Sequence, residues 1–98
     1  MPKKKSLVKW KRARNLEGRG GPHLVFVPSY PGLRLTELGW ELRGQEGAVE
    51  AFDVIHEADS MVWEVVVHYD WKRIAAFEDE EDAFEEATAL NERSASRL

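Results

Sequence analysis

The chain has 98 residues, 43% of them hydrophobic, no cysteine and a formal net charge of −4. That is the size of one domain able to bury its own core, and the lack of cysteine excludes disulfides, zinc–thiolate centres and a thiol nucleophile. No apolar run approaches the roughly 20 residues that span a bilayer, and no apolar stretch of the secretory kind follows the basic start, so a cytoplasmic protein without membrane contact is expected.

The charge is divided unevenly. Residues 1–20 carry eight Lys/Arg and one acid, a formal +7, while residues 21–98 carry six Lys/Arg and seventeen acids, a formal −11. A basic arm on an acidic body suits binding to something anionic. Within the arm, Ser6 can cap a short helix that places Leu7, Trp10 and Ala13 on one side. The alternation Val8-Lys9-Trp10-Lys11 equally allows a strand, and disorder in isolation is a third option. Gly18-Arg19-Gly20-Gly21-Pro22 resists regular structure. It divides the chain into an arm, residues 1–20, and an α+β domain, residues 21–98.

The body opens with a strand at His23-Leu24-Val25-Phe26-Val27. Tyr30-Pro31-Gly32-Leu33 reads as a type II turn, because proline presets φ at its second position and glycine accepts positive φ at its third. Leu33/Leu35 and Leu38/Trp40/Leu42 both alternate, but one residue out of phase. A strand with a bulge near Thr36–Gly39 reconciles them. Residues 45–58 read as a helix. Glu46, Glu50, Asp53 and Glu57 form a polar stripe, Ala48, Ala51, Phe52, Ile55 and Ala58 fill the other side, and strand alternation fails at Ala51-Phe52 and Val54-Ile55.

Met61–Tyr69 is a strand, with Met61, Trp63, Val65, Val67 and Tyr69 on the core face. Asp70-Trp71 marks the hairpin tip, and Arg73–Glu78 returns. Asp79 is an N-cap, and Glu80, Glu81 and Asp82 occupy the first helical turn, where the dipole favours acids. Ala83, Phe84, Ala87 and Leu90 form the buried stripe of this last helix, with Arg93 and Arg97 near its negative end.

Gln45–Glu50 matches Glu80–Glu85 at an offset of 35, which suggests two tandem strand-strand-helix units. The expected fold is therefore α+β: an antiparallel sheet with two helices packed on one face, plus the basic arm. A rival is a winged helix-turn-helix, with residues 35–44 as helix and turn and 45–58 as recognition helix. Electrostatics oppose it, since that helix would show Glu46, Glu50, Asp53 and Glu57 to phosphates and no Lys or Arg.

Catalytic and metal chemistry find little support. His23, His56 and His68, with Glu57, Asp59 and Asp70, supply ligand atoms but no recognised ligand spacing. Ser29 and Ser60 lack the glycines of a nucleophile elbow, and the glycines near position 20 lack the frame of a phosphate loop. A non-enzymatic binding module without a cofactor is expected.

Two modes of binding follow. In the first, Lys3, Lys4, Lys5, Lys9, Lys11, Arg12 and Arg14 contact nucleic-acid phosphates, alone or in a nucleoprotein assembly, and Trp10 stacks on a base while the body docks on protein. In the second, the acidic faces imitate a phosphate backbone and hold a basic partner protein, in the manner of a small phage-type or mobile-element inhibitor or adaptor. The residues for that surface are Glu46, Glu50, Asp53, Glu81, Asp82 and Glu85, with Trp71 as an aromatic anchor. Glu78–Asp82, Glu85 and Glu86 place seven acids within nine residues, a density that also suits an ordinary solvated helix start. An exposed sheet edge would allow two copies to pair.

Overall fold

The computed structural model describes residues 6–13, 23–57 and 60–98. Its strands are β1 (Lys9–Ala13), β2 (His23–Ser29), β3 (Leu33–Thr36), β4 (Gly39–Leu42), β5 (Phe52–Glu57), β6 (Trp63–Val67) and β7 (Arg73–Phe77), followed by the helix α1 (Glu80–Ala95). Five strands form one sheet in the order β1-β2-β5-β6-β7, every neighbour antiparallel, and β3 and β4 form a separate hairpin between β2 and β5. The strand alternative for the basic segment is the one realised. Lys9–Ala13 pairs with β2 from Lys9↔Ser29 to Ala13↔Val25. The glycine-rich stretch at 18–22 lies outside the described residues.

α1 is the one helix among the described residues, so the expected second helix and the tandem repeat are both overturned, and the winged-helix rival falls with them. Residues 45–51 form no helix; Val49 makes an isolated antiparallel bridge with Trp40, and the segment leads into β5. The physical reason lies in the pairs that argued against a strand. β5 is the central strand, and both of its faces are covered. Phe52 and Val54 lie under α1, while Ile55 packs with Val25 and Val66 on the opposite face. A strand buried on both sides shows a continuous apolar run rather than alternation. Gly44 and Gly47 hold φ of +85° and +97°, which does not fit a helical start.

The phase slip between Leu35 and Leu38 has a similar origin. The chain reverses at Glu37-Leu38, and Leu33↔Leu42 and Thr36↔Gly39 pair across a hairpin in place of one bulged strand. Thr36 Oγ1 fastens the turn by accepting from Leu38 N–H and donating to Gly39 C=O. The type II turn before it forms, with Leu33 N–H donating to Tyr30 C=O at 3.1 Å and Gly32 at φ +81°. β6 also departs from expectation at its flanks. Met61 and Tyr69 are exposed (85% and 60%), while Glu64 and Val66 on the opposite face are buried. The core face of this strand is therefore Trp63, Val65 and Val67 alone, and its other face is buried as well.

α1 lies over β5, β6 and β7. Ala83 and Ala87 are fully buried, and their small side chains let the helix sit close to Phe52, Val54 and Val65. Phe84 is the hub of an aromatic cluster, with Trp10 and Phe26 edge-on at 5.2 Å each and Trp63 at 6.1 Å. Asp79 caps the helix by accepting from Glu81 N–H at 2.9 Å. No helix among the described residues is long and apolar enough to cross a membrane.

One polar side chain joins the three parts of the fold. β2 and β5 pair as far as Phe26↔Val54. The next residue facing Phe52 in that register is Pro28, which has no N–H to offer. Asn91 of α1 takes its place. Its Oδ1 accepts from Phe52 N–H, and its Nδ2 donates to Phe52 C=O, each at 2.9 Å. The same amide accepts from Trp40 Nε1–H at 3.0 Å and donates to Ala87 C=O at 2.9 Å. Asn91 and Trp40 are both fully buried. The side chain thus ties helix, sheet and hairpin together with every donor and acceptor used.

Candidate binding groove along the helix

The segment leading into β1 runs beside α1. Val8 is buried, and Trp10 turns inward, its indole edge-on to Phe84 and its Nε1–H donating to Thr88 Oγ1 at 2.9 Å. Ser6 donates to Glu92 Oε1 and accepts from Val8 N–H. Between this segment and the outer flank of the helix lies an open groove of about 750 Å³, lined by Ser6, Trp10, Glu80, Glu81, Phe84, Glu85, Thr88, Ala89 and Glu92.

Helical periodicity builds it. Residues four apart stack on one side of a helix. Glu80, Phe84, Thr88 and Glu92 form one row, and Glu81, Glu85 and Ala89 form the next. The first row meets Trp10 and supplies an aromatic and hydroxyl floor. The second supplies an acidic outer wall, and Ala89 leaves room in it. Four carboxylates thus surround two aromatic rings, and among the described residues the lining includes no basic side chain. Cations are attracted both to carboxylates and to aromatic faces.

The residues expected to bind distribute as follows. Lys9, Lys11 and Arg12 are exposed on β1. Strand alternation puts Lys9 and Lys11 on the sheet face away from α1, and Arg12 on the same face as Trp10. Trp10 itself is committed to Phe84 and Thr88. Lys3, Lys4, Lys5 and Arg14 lie outside the described residues. Of the acids, Glu81 and Glu85 stand in the groove, and Asp82 is exposed on α1 beyond its lining. Glu46 and Glu50 are exposed in the non-helical segment that leads to β5, so they share no helical stripe with Asp53. Trp71 folds back, half-buried, over the Val25, Ile55 and Val66 cluster. Tyr30 packs against Trp40, with ring centres 6.3 Å apart.

Asp53 has the least expected setting. It is 2% exposed, and both carboxylate oxygens lie within hydrogen-bond distance of His68 Nδ1, at 2.9 and 2.8 Å. Burial pushes its carboxyl above the ordinary range, and the hydrogen bond and charge of His68 pull part of the way back. The loop carrying His68 closes with Trp71 N–H donating to Val67 C=O, and it holds Tyr69 and Trp71 at φ of 68° and 63°. Nearby, the buried Glu64 accepts from Arg73 Nε. His56 stacks on Trp63 at 4.3 Å. Among the described residues no three His, Asp or Glu side chains are grouped to hold a metal ion.

Ser6, Thr88 and Glu92 were not among the expected binding residues. The four-residue spacing of Glu80, Phe84, Thr88 and Glu92 was visible in the sequence, but nothing local showed that the chain ahead of β1 would lie beside that row. Comparison with protein-family models, with curated proteins and with solved structures finds no match.

Proposed function

We propose that the protein is a non-enzymatic binding module that holds a Lys/Arg-rich segment of a partner protein in the α1 groove. The observation that supports this is the groove itself: Glu80, Glu81, Glu85 and Glu92 around the rings of Trp10 and Phe84. An ammonium or guanidinium group over those rings gains cation–π attraction while its neighbours pair with the carboxylates. Regular acid spacing along a helix imitates the charge, though not the chemistry, of a phosphate backbone. A basic segment that ordinarily binds nucleic acid is therefore the partner chemistry that fits.

The test is charge reversal. Glu81→Lys combined with Glu85→Lys is expected to weaken binding of a labelled Lys/Arg peptide at least tenfold in fluorescence anisotropy, with the wild-type affinity falling as salt rises. Unchanged affinity in the double variant refutes this reading.

A second reading keeps nucleic acid as the ligand of the basic segment. It is favoured by the exposure of Lys9 and Lys11 on one face of an edge strand. In this mode binding rests on phosphates alone, because the carboxylates beside Trp10 repel a nucleic-acid strand from its ring. Replacing Lys9, Lys11 and Arg12 with Ala should then reduce the salt slope of DNA or RNA binding, and an unaltered slope removes this reading.

A further inference from the structure

We infer that the α1 groove selects arginine over lysine, and that Thr88 is the positioning residue behind that choice. The inference rests on the proposal that this groove takes a Lys/Arg segment, and it narrows that segment to one kind of side chain.

Three features support it. The first is a fixed aromatic wall. The indole of Trp10 spends its one N–H on Thr88 Oγ1 at 2.9 Å, so it meets a ligand only through its ring. Turning the ring breaks that hydrogen bond, and the plane of the indole is therefore set before a ligand arrives. The second is the angle between the rings. Trp10 and Phe84 both line the groove, and their planes stand at 77° with centres 5.2 Å apart. A flat cation stacked on one of these rings turns its edge, and the N–H groups in that edge, toward the other. Guanidinium is planar and can do this, whereas ammonium is tetrahedral and has no such edge. The third is the placing of the acids. Glu81 and Glu85 stand four residues apart in the outer wall, about 6 Å along the helix axis. A stacked guanidinium keeps its remaining N–H groups in its own plane, directed at the carboxylates around it. An ammonium that turns an N–H toward a ring gives up a donor to those carboxylates, and it is the more strongly hydrated cation. Both cations gain from the charge of the walls, and guanidinium gains more from rings and walls together.

The experiment uses the full chain and two labelled peptides of equal charge, octaarginine and octalysine, in fluorescence anisotropy at low salt. Wild type is expected to bind octaarginine about tenfold more tightly than octalysine. Thr88→Val keeps the branched side chain and removes the acceptor of the indole N–H. It is expected to lower that ratio to about twofold, with octalysine affinity held within about twofold of wild type, because lysine draws mainly on the charge of the walls. Thr88→Ser keeps a hydroxyl and is expected to keep the ratio. NMR reads the wall directly: the indole N–H resonance of Trp10 is expected to move in Thr88→Val and to hold its position in Thr88→Ser.

Equal affinity of wild type for the two peptides overturns arginine selection and leaves the groove as a site for any basic segment. A preference for arginine that survives in Thr88→Val overturns the inference, because the preference then arises elsewhere on the acidic surface. A parallel loss of both peptides in Thr88→Val marks Thr88 as a structural residue and likewise overturns it. Failure of wild type to bind either peptide overturns the binding proposal itself, and the inference with it.

Discussion

Asn91 occupies a place in this core that an apolar residue could fill by volume but not by chemistry. Phe52 has lost its ladder partner at Pro28, and Trp40 brings an indole N–H into the interior. Replacing Asn91 with Leu strands three of these groups without water, so Asn91→Leu should cost about 3–5 kcal/mol in urea unfolding. Asn91→Asp should not rescue it, because a carboxylate cannot donate to Phe52 C=O or Ala87 C=O and would be buried charged. A loss below about 1 kcal/mol would show that the amide does not clasp helix, sheet and hairpin together. Asp53 offers the opposite case, a buried carboxyl whose ionisation opposes folding. Its folded value lies above the ordinary carboxylate range. The native state therefore holds the proton more tightly than the unfolded chain. Its contribution to stability is full below about pH 4 and is lost as pH rises through the raised value. Against an Asp53→Asn variant, the stability of wild type should decline from about pH 4 upward. A gap that moves in favour of wild type over that range would mean that folding lowers the affinity of Asp53 for its proton.

At the level of elements, the β3–β4 hairpin depends on one glycine. Gly39 sits at φ +115°, and a Cβ there would lie 2.0 Å from the carbonyl oxygen of Val49, whose backbone is fixed by two hydrogen bonds to Trp40. Gly39→Ala meets both backbone strain and a backbone clash, and about 2–4 kcal/mol of destabilisation is expected. Gly32→Ala, at φ +81° in open space, meets the strain alone and should cost about 1 kcal/mol. Equal unfolding midpoints for the two variants would refute the close approach. α1 is more tolerant. Asp79→Ala removes one cap hydrogen bond and should cost about 1 kcal/mol. This helix was legible from sequence because several local signals agree there: a cap, acids in the first turn and a stripe of Ala83, Phe84, Ala87 and Leu90. β5 was not legible, because its burial on both faces removes the alternation by which strands are recognised. The acids at 46, 50, 53 and 57, in β5 and the segment before it, then matched a helical stripe by spacing, although Asp53 is buried beside His68 and Glu46 and Glu50 are exposed.

For the whole molecule, the division of charge between the basic start and the acidic remainder was evident from composition, and α1 turns part of the acidic excess into one wall of a groove. Electrostatic binding in that groove predicts a steep loss of basic-peptide affinity between low and physiological salt, with little change in unfolding stability. A salt-independent affinity would indicate that the aromatic floor dominates. The chain by itself determined that antiparallel strands are followed by a C-terminal helix with its cap, and it determined the type II turn and the segregation of charge. These depend on interactions between near neighbours in sequence, or on composition, and both are readable one window at a time. The tertiary structure alone decided that residues 45–57 extend into the central strand, that Trp10 belongs to the core, that Asp53 meets His68, and that Ser6 closes a groove against Glu92. Each of these depends on which distant segment covers a residue. Burial from the second side alters the hydrophobic pattern of a strand, and a partner 86 positions away in the chain, as for Ser6 and Glu92, leaves no trace in local periodicity.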